Sequence, residues 1–134
     1  MKKYDELIAK ALCVRSNAYA PYSEFFVGAA LLCDDGKIFA GCNVENSSYG
    51  CTLCAERVAF TSAITNGKKD FCAIAIIGGK GEINEFCFPC GACRQFMSEF
   101  CSKDFEIVLF DGKDMAVYTL GELLPNAFDK SDLK

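Results

Sequence analysis

The sequence predicts an α/β domain, a three-layer α/β/α sandwich around a mixed five-stranded sheet whose last two strands are antiparallel. Three observations carry this expectation. Helical and strand patterns succeed one another in the order α-β-β-α-β-α-β-β. Phe71 to Ile77 is apolar without alternation, which suits a strand covered on both faces. Only Asp111-Gly112-Lys113-Asp114 separates the last two strands, too few residues to hold a crossover helix.

Each element has a local cause. Leu7, Ile8, Ala11 and Leu12 share one helical face, so an amphipathic helix is expected from Lys3 to about Ala18. Ala20-Pro21-Tyr22-Ser23 ends it, because proline disfavours helix in the residue before it. Phe25 to Cys33 and Lys37 to Asn43 flank the turn Asp34-Asp35-Gly36 and read as an antiparallel hairpin. Asn43 to Leu53 is a polar loop. Ala55, Val58, Ala59, Ser62 and Ala63 then recur at helical spacing up to the stop at Asn66-Gly67, which places Cys54 and Glu56 on a first turn. A further helix is expected from about Cys90 to Phe100, strands over Glu106 to Phe110 and Met115 to Thr119, and a helical turn over Leu120 to Leu124. Residues 1–134 read as one domain with a frayed polar tail from about Asp129.

The chain has 134 residues, 51% of them hydrophobic and 24% charged, enough apolar material for a continuous core. No apolar run is long enough to span a membrane, and the N-terminus lacks a signal-peptide segment, so a cytoplasmic protein is expected. Fourteen basic against eighteen acidic residues give a net charge of −4. With no Lys/Arg block, binding to nucleic acid through phosphate contacts is disfavoured, and a small substrate fits better. The ten cysteines do not read as a disulfide framework in a chain with its own core. Cys13, Cys33, Cys72 and Cys101 lie in apolar runs and are expected to act as small hydrophobes.

The chemistry concentrates in Cys54-Ala55-Glu56 and Pro89-Cys90-Gly91-Ala92-Cys93. The chain has no histidine, so a metal site must use thiolates or carboxylates. Both cysteine clusters open helices, where free N–H groups and the dipole favour thiolates. Cys54, Cys90 and Cys93 on zinc would leave a fourth position open, with Glu56 placed to move a proton. Three thiolates give a net charge near −1, and Arg57 is expected to donate to the ligand sulfurs and offset it. Spacing alone also allows a structural four-cysteine site closed by Cys51, or a dithiol redox pair at Cys90 and Cys93.

Taken together, these segments resemble the small, homotetrameric cytidine deaminases that act on free nucleosides. Beyond the zinc motif, the likeness runs through Tyr19-Ala20-Pro21-Tyr22-Ser23, Phe25 to Leu31, Gly41 to Asn46, Cys93-Arg94-Gln95 and Leu124 to Phe128. The resemblance implies one Zn²⁺ per subunit on Cys54, Cys90 and Cys93, and hydrolytic deamination of cytidine and 2′-deoxycytidine in pyrimidine salvage. Zinc-bound hydroxide would attack C4 while Glu56 shuttles protons. It also implies that Phe25 flanks base or sugar, that Ala55 touches the substrate, and that Asn43 and Glu45 bond the ribose hydroxyls. Tyr49 and Phe128 would reach a neighbouring subunit's site. Read as plain residues, Asn43 and Glu45 suit loop capping and Phe25 suits the core. Nucleic-acid deaminases share only the zinc motif and carry parallel final strands, against the hairpin expected here.

Overall fold

The computed structural model describes residues 3–133; Met1 and Lys2 of the N-terminal stretch and Lys134 of the tail lie outside the described residues. Helix α1 spans Asp5–Arg15, followed by strands β1 (Phe26–Cys33) and β2 (Ile38–Cys42), helix α2 (Ala55–Thr65) and strand β3 (Phe71–Gly79). Helix α3 (Gly91–Phe100), strands β4 (Glu106–Phe110) and β5 (Met115–Thr119) and the short helix α4 (Leu120–Leu123) complete the order. The sheet runs β2-β1-β3-β4-β5, parallel only between β3 and β4. The last two strands are antiparallel, as their four-residue separation requires.

The central strand β3 is buried on both faces from Ala73 to Gly78, which is why it is apolar without alternation. Ile74 and Ile76 join one core with Ala55, Ala59, Phe60, Cys93 and Met97 from α2 and α3. Ala73, Ala75 and Ile77 point the other way, into a smaller core with Leu7, Ile8 and Ala11 of α1. Phe60 is fully buried and meets the rings of Phe71, Phe96, Phe100 and Phe105 at centroid distances of 5.1 to 6.3 Å. Burying one such ring contributes roughly 1.5–3 kcal/mol.

Two glycines set how closely the helices approach the sheet. A Cβ on Gly28 would lie 2.1 Å from the Ala11 carbonyl oxygen, so only glycine admits α1 at this distance. A Cβ on Gly41 would lie 2.5 Å from the Ala59 nitrogen and 2.8 Å from the Ala55 oxygen, so Gly41 lets the opening of α2 rest on β2. The second approach is functional, because that opening carries Cys54 and Glu56.

The observed elements differ from expectation in a few places. Helix α1 stops at Arg15, and residues up to Ala18 form turns that deliver Tyr19 to a bridge with Val44. Cys54 and Cys90 are N-caps rather than first-turn residues. Strand β3 continues through Gly78 and Gly79, which pair with Val27 and Phe26. The tail, expected to fray, forms an exposed 3-10 turn over Lys130–Leu133, where the Asp129 backbone N–H donates to the Asp132 carboxylate. Cys33 is buried and Cys101 packs on the core, but Cys13 and Cys72 are exposed. Cys13 is not among the buried residues of α1, and Cys72 stands at the uncovered start of β3.

Candidate active site

The polar loop after β2 and the loop after β3 bring the openings of α2 and α3 together. The Sγ atoms of Cys54, Cys90 and Cys93 all lie within 4.8 Å of one another. Cys54 and Cys90 sulfurs are 3.9 Å apart. Two sulfurs on one tetrahedral zinc at ~2.3 Å stand about 3.8 Å apart, so the donor set fits that ion in size as well as in softness. Cys51 is outside this group, exposed at the end of a 3-10 turn over Tyr49–Cys51.

The three thiols are held differently. Cys93 is fully buried, Cys54 half-buried and Cys90 exposed. A hydrogen bond from the Cys93 thiol, reinforced by Arg57, lowers Cys54 to about 5. Cys93 is shifted upward by donating to Cys54 and by burial. A metal ion would have to displace that proton. Arg57 Nη2 donates to Cys54 Sγ at 3.4 Å, the contact expected of it, while its buried Nε has no protein partner.

Glu56 is 5% exposed, on the first turn of α2. Burial raises its carboxyl to about 7, against the opposing effect of its own backbone N–H; the Cys54 charge raises it further. A carboxyl group so placed can both take and give a proton near neutral pH.

A cavity of about 350 Å³ opens in front of these groups. Phe25, Asn43, Glu45, Cys54, Ala55, Glu56 and Cys90 all line it. Asn43 and Glu45 also perform the capping that plain residue chemistry suggests. Asn43 Oδ1 accepts from Val27 N at 2.9 Å, and its Nδ2 donates to Phe25 O at 2.8 Å. Glu45 Oε1 accepts from Tyr22 N and Ser23 N at 3.0 and 3.1 Å, and Oε2 accepts from the Ser23 hydroxyl. The Ser23 hydroxyl and these amides hold Glu45 below the usual carboxylate range. Asn43 retains one N–H and one lone pair, and Glu45 further lone-pair sites.

Tyr49 and Phe128 do not line the cavity. They are 77% and 61% exposed, and Tyr49 stacks edge-on against Tyr22 at 6.2 Å. Sequence reasoning missed six wall residues, Ser23, Val27, Thr52, Leu53, Cys87 and Phe88. Ser23 stands in a segment that carries the resemblance, and its hydroxyl could have been paired with Glu45. Cys87 has no helical or ligand spacing to mark it; burial pushes its thiol up to about 12.

The chain has relatives among known proteins. The family described as "Cytidine and deoxycytidylate deaminase zinc-binding region" matches residues 1–109. A cytidine deaminase of Sporosarcina psychrophila is 47% identical over 131 residues, covering 96% of this chain and 93% of that protein. The crystal structure of a cytidine deaminase from Burkholderia pseudomallei superposes with a TM-score of 0.87 at 48% identity, covering 95% of this chain and all of that one. The cytidine deaminase of Mycobacterium tuberculosis superposes with a TM-score of 0.82 at 39% identity, covering 96% and 98%.

Proposed function

Because the chain belongs to the cytidine and deoxycytidylate deaminase family, we propose that it hydrolyses cytidine and 2′-deoxycytidine to uridine and 2′-deoxyuridine, releasing ammonia. The observation that carries this reading is one arrangement. Three cysteine sulfurs lie within 4.8 Å of one another, and a buried Glu56 lines the same cavity as two of those residues, Cys54 and Cys90. Cys54, Cys90 and Cys93 would hold one Zn²⁺ per chain. When bound, that ion makes water acidic enough to supply hydroxide at neutral pH.

The chain's own residues do the rest. Glu56 takes one proton from water and delivers it to the pyrimidine N3, then takes the second from the hydroxyl added at C4 and delivers it to the departing amine, which leaves as ammonia. Its carboxyl, raised to about 7 by burial, is matched to both directions of transfer. Arg57, donating to Cys54 Sγ, adds to the bond from Cys93 in favouring the Cys54 thiolate and offsets the charge of three sulfurs. Phe25 and Ala55 bound the space for base and sugar. The spare N–H of Asn43 and lone pairs of Glu45 take the ribose hydroxyls, and their backbone bonds hold both side chains in place beforehand.

Tyr49 and Phe128 fit a homotetramer, in which each would complete a neighbour's cavity; their exposure outside their own cavity supports this. The described residues include no helix long and apolar enough to cross a membrane. A cytoplasmic enzyme of pyrimidine salvage is consistent with that.

Substrate selection tests the reading. Free cytosine leaves Asn43 and Glu45 without their partners, so kcat/KM for cytidine should exceed that for cytosine by on the order of 10⁴-fold. Equal turnover of the two would remove the ribose clamp. No turnover of either by the zinc-loaded protein would remove the function.

A further inference from the structure

The three sulfur positions differ in what fixes them. Cys93 is locked by burial and Cys54 by its bond from Arg57. Cys90 is exposed, and it is followed by Gly91, where an added Cβ would have nothing within 4 Å. Exposure leaves the Cys90 side chain with less packing to set its direction than the other two have.

Arg94, one turn along α3, touches both peptide groups that flank Cys90. Its backbone N–H donates to Cys90 O at 3.0 Å. Its side-chain Nε donates to Pro89 O at 2.8 Å, and Pro89 is itself fully buried. Because peptide units are planar, fixing the planes on either side of an α-carbon fixes both of its soft dihedrals. The observed φ −68° and ψ 166° of Cys90 are held in this way. The guanidinium is anchored in turn by Nη1, which donates to Leu123 O at 2.7 Å at the end of α4. Its rigid fork reaches two carbonyls from separate segments at once, which a lysine cannot do.

We infer that Arg94 is a positioning residue for the Cys90 thiolate, setting its place in the metal site through the Pro89 carbonyl and the end of α4. This role rests on the three-cysteine zinc reading above. Release of zinc to a chromogenic chelator tests it without recourse to activity. Wild-type protein purified with about one zinc per chain establishes the premise; wild type that holds no zinc removes the premise and this role with it. Arg94→Met should then release zinc about tenfold faster, and Arg94→Lys, which keeps the charge but not the fork, should fall between. Ser98→Ala removes side-chain hydrogen bonds of α3 without touching Pro89 or Leu123, so it should release zinc at the wild-type rate. Wild-type release from Arg94→Met overturns the proposal. So does equal acceleration by Ser98→Ala, which would make the effect one of general loosening of α3. Should Arg94→Met fail to fold, wild-type release from Arg94→Lys overturns it as well.

Discussion

Glu56→Gln lowers kcat for cytidine by roughly 10²- to 10⁴-fold while the protein keeps its zinc and its fold. Glutamine preserves the shape of a side chain that is 5% exposed. It cannot carry a proton, and carrying a proton is the only role the site gives this group. The ligand sulfurs are untouched, so metal content measured by atomic absorption stays at the wild-type level. Stability does not fall sharply, because the buried carboxyl is already shifted toward its neutral form, to about 7, by burial. A Gln variant with wild-type turnover would make Glu56 a bystander on the first turn of α2.

Cys93→Ala abolishes both zinc retention and turnover, whereas Cys51→Ser retains both. Cys93 is fully buried between α3 and the sheet core, and its sulfur lies in the three-thiol group with Cys54 and Cys90. Alanine leaves two thiolates, too few to hold zinc in a protein site of this kind. Metal content should drop from about one per chain to near zero. Cys51 sits outside the group, so its hydroxyl replacement changes nothing at the metal. If both variants lost zinc, the four-cysteine alternative that spacing permits would be restored.

The sequence made the fold legible where causes are local. Strands β4 and β5 end where their hydrophobic runs end, and the pairing of the two follows from the length of one turn. Helix α2 is legible from the helical spacing of Ala55, Val58, Ala59, Ser62 and Ala63 and from the Asn66-Gly67 stop. The metal group was legible for the same reason, since each cysteine pattern lies on one short segment at a helix opening. Three things were not legible. Asn43 and Glu45 divide their polar atoms between backbone and cavity, and that division depends on where β1 and Tyr22 lie in space. Cys87 reaches the cavity wall only through the path of the loop after β3. Arg94 links Pro89 to Leu123, which lies 29 positions after Arg94 itself, and no spacing rule joins those segments. Cys13 and Cys72 show the converse limit. An apolar run does not say which of its members the helix or strand turns outward.

The central claim is a zinc site of three thiolates with one place left open beside a buried carboxyl group. X-ray absorption at the zinc edge of the purified, metal-loaded protein measures this directly. The account predicts three sulfur neighbours and one lighter neighbour at about tetrahedral distances. Four sulfur neighbours would contradict it, because no position would then remain for water, and Glu56 would have no proton to move.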